Sequence, residues 1–511
     1  MARAHFKGRH IVTVQSLYSP EGRANQAGRK SIPDCVDQIR RFWLTPEVEE
    51  MLRDHAIKVY IAHVRMLSKC GILPEATAQL LEQNLVRVMS ECQDKLCLLT
   101  PQDADIHQSI MRAMRDAVGE TAQALEIARS ENDHNVTNLR LFLREACIDL
   151  FGTLLQLRHA ILELAARDID APMPGYTHMQ PATPILLSHF WLANEGRFAR
   201  DLDRLIDLFK RLNLSPMGAC ALSGTPQPID RDFVAQQLSF DGVIENSLDA
   251  VSDRDFVVEF GSFAALVGVH ISQLASELLL WTTQEFSFVR LPKELTYKSQ
   301  NMPHKRNPEL LEIMRSRAST FSGRLSEFLG DLKGLPVSLT GDLREPLPGL
   351  LDVVQNLRFV IGLAIRLLPA FKFDLNQMRE QATADLTNSS AAVTYLIDHG
   401  MTSDLAREVV QNLGDYCKKR HKQLIDLTLS EWQQFAPIFG DDIYSLLNIE
   451  TSLESFTSFG GTATERVIEA HGRARERFVA DMERVPELAR ASIDVLKAEL
   501  ILSEIEKREI Y

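Results

Sequence analysis

Three long stretches with apolar residues at helical spacing constrain the fold of this chain more than any other feature. They cover residues 138–167, 184–212 and 253–283. Their apolar stripes are broader than a narrow coiled-coil seam, which is typical of helices packed on several sides. No stretch shows a convincing apolar–polar alternation of period two, and no solenoid repeat is present. The sequence therefore predicts an all-α protein with a long central helix bundle.

Shorter helical patterns lie on both sides of the three long ones. Residues 309–332 and 347–368 form a second helical pair that extends the central part. After this pair the patterns shorten, and the chain ends in a tail rich in Glu, Arg and Lys, which is typical of solvated helix faces. We predict an N-terminal helical domain with a basic arm (1–128), a central long-helix bundle that carries the site loops (129–370), and a C-terminal helical domain with a charged tail (371–511).

Composition limits the classes of function. The formal net charge of -13 argues against a general nucleic-acid or anionic-membrane binder. The most apolar stretch, residues 256–281, contains Glu259, His270 and Glu277, so we predict a fully buried bundle helix and no membrane span. Seven scattered cysteines indicate reduced thiols in a cytoplasmic protein. Residues 1–30 are basic but lack a clear amphipathic helix, and we interpret them as an arm rather than a targeting peptide.

A polar loop at residues 298–308 is the first candidate for chemistry. Pro303 and Pro308 exclude a regular helix between them, because each lacks an amide donor and restricts the residue before it. The loop carries the Ser299 hydroxyl and, a few residues on, the Lys305 ammonium. Such a pair suits a base that acts on an anionic substrate. From spacing alone, an ordinary polar surface loop explains the same residues.

A second candidate is the helix start at residues 129–133. Ser130, Asn132 and Asp133 are all favourable N-cap residue types, and a simple helix cap explains their presence. The same helix start would also present backbone amides and the Asn132 side chain to a substrate carboxylate.

Three further segments leave their role open. His178 lies beside Thr177 on a loop bounded by Pro and Gly, where it is either a proton-transfer group or an ordinary surface histidine. Small residues at 215–224 allow close backbone approach, in a tight helix connection or in a site. Residues 460–462, Gly-Gly-Thr, are ambiguous in the same way.

The loop at 298–308 resembles the signature loop of the fumarase/aspartase superfamily, which usually reads Gly-Ser-Ser-x-Met-Pro-x-Lys-x-Asn-Pro. Four other motifs resemble those of the argininosuccinate lyase family within it. These motifs are residues 173–178, 228–231, 246–255 and 460–463. The resemblance extends from about residue 50 to about residue 480. It implies a fumarase/aspartase-like, all-helical homotetramer in which three chains each supply one loop to every active site, here 129–133, 173–180 and 298–308.

The resemblance also implies a reaction, the β-elimination of fumarate from an N-substituted aspartate by cleavage of a C–N bond. Ser299 matches the family's catalytic base, and His178 would aid protonation of the leaving nitrogen or orient the other groups. The residues that would hold the substrate carboxylates are Ser130, Asn132, Thr177, Lys305 and Asn307. The implied partner is a small dicarboxylate-bearing substrate, and no metal or organic cofactor is implied.

Several departures from the family pattern concern the half of the substrate that leaves as an amine. Glu131 stands where arginine is usual, and the segment around residues 339–346 looks about three residues short. Other replacements are Lys298 for glycine, Gln300 for serine, His304 for glutamine, Leu339 for tyrosine and Gly341 for lysine, while Arg344 is a possible substitute cation. These departures predict a retained fumarate-forming machinery with a different amine half, and a cationic amine would suit Glu131 best.

Three alternatives stay open on the sequence. The chain is an ordinary argininosuccinate lyase if its loops realign. It is a catalytically silent paralogue, retained as a structural or regulatory tetramer, if the altered site no longer turns over. The retention of Ser299 and His178 argues against this second alternative. Another superfamily branch, with adenylosuccinate or carboxymuconate chemistry, is the third, and residues 246–255 point away from it.

Overall fold

The computed structural model describes residues 46–93, 103, 105–383 and 387–492. The basic N-terminal arm and the end of the charged tail, both predicted from the sequence, lie outside these ranges. Within them the chain is mainly helical, and strands occur only in short two-stranded pairs. The prediction of an all-α protein with a long helix bundle is confirmed.

The N-terminal part is a small helical cluster. Its elements are α1 (Pro46–Lys69), α2 (Glu75–Gln93), α3 (Ile106–Val118) and a 3₁₀ helix (Gly119–Glu126). These elements enclose an apolar core that also receives Leu141 from the next helix and Met217 from a later loop. Burial of this shared core fixes the cluster against the start of the central bundle.

The central part contains the long helices and all the strand pairs. In chain order it consists of α4 (Glu131–Arg167), β1 (Pro172–Thr177), β2 (Gln180–Leu186), α5 (Leu187–Leu212), β3 (Leu214–Ser215), α6 (Arg231–Gln237), β4 (Gly242–Val243), α7 (Ser247–Ser252) and α8 (Asp255–Trp281). It continues with β5 (Val289–Arg290), a 3₁₀ helix (Lys293–Leu295), β6 (Tyr297–Lys298), β7 (Arg306–Asn307), α9 (Glu309–Leu332), a 3₁₀ helix (Gly341–Arg344), α10 (Pro346–Leu367), a 3₁₀ helix (Leu368–Ala370) and β8 (Lys372–Phe373). The five helices α4, α5, α8, α9 and α10 share one extended apolar core.

Helices α8 and α9 lie antiparallel and very close together. A side chain at Gly268 would come within 2.6 Å of the Phe321 ring, and one at Gly261 within 2.9 Å of the Phe328 ring. The two glycines therefore let these rings pack directly on the α8 backbone. In this pairing the beginning of α9 is level with the end of α8 at Trp281.

The prediction that α8 is fully buried is wrong for the single chain. Among the described residues it is the one helix that is long and apolar enough, by length and composition, to cross a membrane. Only 44% of its most apolar 18-residue segment is buried in the single chain. Leu266 and Val269 are 39% and 42% exposed. Exposed apolar residues on a helix of this kind indicate a surface that packs against further apolar groups.

The strand pairs correct a second expectation. β1 and β2 form an antiparallel hairpin over residues that the sequence assigned to a loop and to the first residues of a helix. β5 pairs with β8 and β6 with β7, both antiparallel, and β3 pairs with β4 in parallel. The hairpin contains Pro172, Pro174, Pro181 and Pro184, and a two-stranded ribbon tolerates these residues because each strand is an edge strand. Its proline content also removes the alternation by which strands are recognised.

The C-terminal part is a separate apolar cluster followed by helices that return to the bundle. Its elements are α11 (Leu375–Thr383), α12 (Ser389–Asp398), α13 (Ser403–Arg420), a 3₁₀ helix (Leu424–Asp426), α14 (Leu429–Phe435), α15 (Ile443–Leu447), α16 (Ile449–Glu454), α17 (Thr464–Met482) and α18 (Val485–Arg490). Asp481 of α17 binds the buried guanidinium of Arg158 on α4, which also pairs with Glu195. The division of the chain at residues 128 and 370 stays a prediction.

Candidate active site

The loop at residues 298–308 is a short closed hairpin. β6 and β7 pair with Lys298 opposite Arg306, and the amide of Ser299 donates to the carbonyl of Lys305 at 3.1 Å. The Ser299 hydroxyl oxygen accepts a hydrogen bond from the amide of Met302 at 3.2 Å. The exclusion of helix by the two prolines is confirmed. The loop therefore holds the serine oxygen at an amide donor, a contact that would stabilise an ionised oxygen.

His178 occupies the tip of the β1–β2 hairpin. Thr177 pairs with Gln180, so His178 and Met179 are the two turn residues, and both have positive φ, at 53° and 61°. Such a turn favours Asn or Gly, and side chains at both positions store local strain. Both residues are exposed, with Met179 69% exposed. The hairpin thus presents its histidine outward, at the end of a two-stranded ribbon.

Residues 460–462 support this hairpin. The Thr462 hydroxyl oxygen accepts a buried hydrogen bond from the amide of Leu186, the last residue of β2, at 2.9 Å. A side chain at Gly461 would come within 2.2 Å of the Phe456 carbonyl oxygen, so only glycine fits this turn. The Gly-Gly-Thr segment, ambiguous in the sequence, is a structural anchor of the second strand in this chain.

The start of α4 is a complete helix cap. The Ser130 hydroxyl accepts a hydrogen bond from the amide of Asn132 at 3.3 Å, and the Ser130 amide donates to the carboxylate of Asp133 at 3.0 Å. The amides of Gly218 and Cys220 donate to the other Asp133 oxygen at 3.0 and 2.8 Å. Burial raises the pKa of Asp133 to about 6, although these three amides favour its ionised form. The cap predicted for Ser130 and Asp133 is present.

The small-residue segment 215–224 lies directly on this cap. The side-chain amide of Asn132 donates to the carbonyl of Ala221 at 3.0 Å. Gly218 has a φ of +85°, and a side chain there would collide with Arg231 at 2.8 Å. The close backbone approach expected for this segment therefore serves to fix the helix start at Asn132.

The predicted site residues lie at two different ends of the bundle. The hairpin with His178 follows the end of α4, and the ring of Tyr176 contacts that of Phe286 at 5.7 Å, close to where α8 ends and the Ser299 loop precedes α9. Asn132 lies at the other end of α4. This helix has 37 residues, so its ends are separated by about 55 Å. Within the described ranges, no hydrogen bond or ion pair joins the three candidate segments to one another.

One departure from the family pattern, Glu131, lies at the Asn132 end, whereas Lys298, Gln300 and His304 lie on the Ser299 loop. Burial and the charge of Asp105 raise the pKa of Glu131, while the charges of Arg344 and Arg129 lower it. Arg344, noted in the sequence as a possible substitute cation, therefore acts on the residue that replaces the usual arginine. A cavity of about 490 Å³ adjoins Glu131. Its charged lining residues are Asp103, Arg112, Arg115, Asp116, Glu126, Arg129 and Glu131.

Sequence reasoning missed the groups that support Arg129. The guanidinium donates to the Tyr60 hydroxyl at 2.7 Å, across 69 residues of sequence. No local pattern indicates such a pairing, because Tyr60 occupies an ordinary apolar position of its helix. In the part of the chain that the structure describes, His, Cys, Asp and Glu side chains form no group of three that could hold a metal ion.

Comparisons with known proteins decide the family. Residues 37–323 match the family model described as lyase, and residues 387–454 match the argininosuccinate lyase C-terminal model. The argininosuccinate lyase of Oceanobacillus iheyensis is 37% identical over 430 residues, which are 84% of this chain and 94% of that protein. The argininosuccinate lyase of Symbiobacterium thermophilum is 39% identical over 80% of this chain and 89% of its own length. This chain belongs to the argininosuccinate lyase family.

Solved structures of other enzymes are similar to this chain in fold. The crystal structure of EDDS lyase in complex with formate has a TM-score of 0.78 and 25% identity, over 89% of this chain and 91% of that one. The class II fumarase of Schistosoma mansoni, at 15% identity and a TM-score of 0.67, shares the fold. The chain is a carbon–nitrogen lyase of the fumarate-releasing type, and the predicted enzyme class is confirmed.

Proposed function

We propose that this enzyme cleaves an N-substituted aspartate to fumarate and a free amine, in the cytoplasm, with Ser299 as the base. The assignment of Ser299 as the base rests on the closed hairpin, in which the Met302 amide donates to the Ser299 hydroxyl oxygen. A serine hydroxyl is a weak base, so its ionised form needs such donors and a nearby cation, which Lys305 supplies in the same loop.

The reaction removes one proton and breaks one bond. The Ser299 oxygen takes the proton from the carbon next to a carboxylate, and the electron pair left behind forms the carbon–carbon double bond as the carbon–nitrogen bond breaks. His178 assists proton delivery to the departing nitrogen or orients the neighbouring groups. Ser130, Asn132, Thr177, Lys305 and Asn307 hold the two carboxylates. Closure of the exposed Ser299 loop would exclude water and strengthen these contacts.

The active form we propose is a homotetramer with shared sites. Asn132 and His178 lie at opposite ends of a helix about 55 Å long, so one chain alone cannot bring them to one substrate. The exposed apolar residues of α8, among them Leu266 and Val269, supply a surface on which the central helices of other copies can pack.

Mixing two inactive variants tests this shared site. We expect Asn132→Ala and Ser299→Ala tetramers to be inactive separately, and to recover activity after they are unfolded together and refolded. If the two residues come from different chains, random assembly of equal amounts leaves roughly a quarter of the sites intact. Fumarate release, followed by ultraviolet absorbance, measures the recovery. Refolded mixtures that stay inactive, while wild-type enzyme refolds normally, contradict the shared site.

The amine half of the substrate is set, in our proposal, by Glu131 and the groups around it. A carboxylate at this position repels an amine that itself carries a carboxylate and attracts one that is only cationic. The charge of Arg344 acts on Glu131 and weakens this repulsion in part. We therefore infer that a carboxylate-free diamine is a better leaving amine than arginine.

Charge reversal at Glu131 tests this preference. In the reverse reaction, addition of fumarate to amines, we expect Glu131→Arg to raise the preference for arginine over a short diamine at least about tenfold, since removal of a like-charge contact is worth roughly 1.4 kcal/mol or more. Glu120→Arg, at an exposed position of the preceding 3₁₀ helix, is the matched control and should leave the ratio unchanged. If Glu131→Arg leaves the preference for arginine over the diamine unchanged, the amine half of the substrate does not bind next to residue 131.

One assay separates the enzyme from the silent paralogue. The purified protein is incubated with argininosuccinate and, in the reverse direction, with fumarate and a panel of amines. Turnover of argininosuccinate alone indicates an ordinary argininosuccinate lyase, and turnover of other amines alone indicates the altered amine half. No turnover with any amine supports the structural or regulatory tetramer.

A further inference from the structure

A buried cluster of rings lies directly beneath the start of α4. The Tyr60, His107 and His134 rings contact one another, with the two imidazole centroids 4.4 Å apart. Arg129 joins them from the loop, donating to the Tyr60 hydroxyl at 2.7 Å and lying 3.2 Å from Nδ1 of His134. All three rings are fully buried or nearly so. The cluster therefore connects α1, α3 and α4 at the residue that precedes Ser130.

The hydrogen-bond directions in this cluster are mutually consistent. Because a guanidinium only donates, the Tyr60 oxygen and the His134 Nδ1 must both accept from Arg129. The Tyr60 hydroxyl proton then faces Nδ1 of His107 at 3.4 Å, and the other nitrogens of the two imidazoles donate to the Asn135 side chain at 2.7 Å and to the Ala56 carbonyl at 3.1 Å. Each imidazole thus carries one proton and is neutral. Burial, which lowers the pKa of His107 to about 4, favours the same state.

Each of the three guanidinium nitrogens of Arg129 has a hydrogen-bond partner. Its Nε donates to the Leu125 carbonyl at 2.9 Å, while its two terminal nitrogens reach Tyr60 and His134. The next residue is Ser130, whose hydroxyl and amide make the helix cap. A guanidinium fixed in this way leaves the backbone at Ser130 little freedom to rotate.

We propose that Arg129 is a positioning residue for substrate binding, and that Tyr60 and the neutral His134 are the acceptors that hold it. The cluster would keep the cap hydroxyl and the Asn132 amide in the orientation that a substrate carboxylate requires. This inference rests on the proposed function in one respect, namely that Ser130 and Asn132 bind a carboxylate. It assigns a role to Tyr60, His107 and His134, which act on the site through Arg129 and the helix cap.

Tyr60→Phe tests the proposal with the smallest change. It removes the hydroxyl that accepts from Arg129 and leaves the ring, so the core keeps its shape. We expect KM for the best substrate found in the assay above to rise about tenfold, with kcat within about twofold, because the loss affects binding rather than the chemical step. Calorimetric titration with succinate, a non-reacting dicarboxylate, should show a similar loss of affinity.

Tyr444→Phe is the matched control, since it removes a hydroxyl that donates to the Leu427 carbonyl in the C-terminal cluster. Both variants should lower the melting temperature modestly, and only Tyr60→Phe should change KM and succinate affinity. Unchanged succinate affinity in Tyr60→Phe, at whatever melting temperature, overturns the positioning role. If the wild-type protein binds succinate but releases no fumarate, the proposed function is refuted. The comparison of succinate affinity between the wild type and Tyr60→Phe still tests the positioning role in that case. A wild-type protein that does not bind succinate overturns both.

Discussion

Replacement of Ser299 by alanine is expected to lower kcat by about 10³-fold, within the range typical of a lost general base. Ser299 lies in a loop whose fold rests on backbone contacts, among them the Ser299 amide to the Lys305 carbonyl and the Lys305 amide to the Met302 carbonyl. Alanine keeps these contacts and removes only the oxygen. We therefore expect KM to change little, and fumarate absorbance in stopped and continuous assays measures both constants.

Ser316→Ala provides the control for this experiment. Its hydroxyl donates to the Ile313 carbonyl on α9, the helix that follows the loop, and the residue is exposed. It should retain full activity, and both variants should elute with the oligomeric state of the wild type. Retention of more than about a tenth of the wild-type kcat in Ser299→Ala would exclude this serine as the base.

The long helices were predictable because their signal is local. Residues 309–332 were predicted as one helix and are α9, and the pattern at 347–368 corresponds to α10, which starts and ends one residue earlier. In each, the apolar spacing lies within the segment, and the proline before it and the break after it are close in sequence. The motif-bearing loops were found in the same way, because Ser299 and His178 stand in short continuous motifs.

The contacts that organise the site were not predictable, because their partners are far apart in sequence. The carboxylate of Asp133 is held by Gly218 and Cys220, and Arg129 by Tyr60. The β1–β2 hairpin was missed for a different reason, since its prolines break the alternation that identifies strands. In these cases the tertiary contacts, rather than local propensity, determine the structure.

The buried histidines near the start of α4, namely His107 and His134 of the ring cluster and His63 on α1, are expected to make the enzyme sensitive to acid. Burial lowers the pKa of His63 and of His107 to about 4, and it also lowers the pKa of His134 well below its usual value. The groups that face them include Arg129, whose charge also lowers all three, and Asp105, whose charge partly opposes this for His107. Between pH 6.5 and 4 the unfolded chain binds protons at these histidines that the folded chain does not. Stability therefore falls as the pH falls through this window.

Carboxyl groups oppose this trend in part. Burial raises the pKa of Asp133 to about 6 and also raises that of Glu49, so the folded chain binds protons at these groups before the unfolded chain does. Their contribution to stability increases as the pH falls. Burial also lowers the pKa of His55 to about 4 and raises that of Glu131, so both groups of residues have further members. We expect the contribution of the buried histidines to the free energy of unfolding to fall from pH 7 to pH 5.

Urea unfolding at fixed protein concentration, at pH 7, 6 and 5, measures this change, since the stability of an oligomer depends on concentration. His63→Gln isolates one group, because glutamine can still donate to the Ile127 carbonyl that His63 contacts at 2.8 Å but does not titrate. This variant should lose about 2 kcal/mol less than the wild type over the same range. Ser316→Ala, which removes no titratable group, should follow the wild-type curve. Equal pH dependence in His63→Gln and the wild type would show that the buried imidazole is not a source of the acid sensitivity.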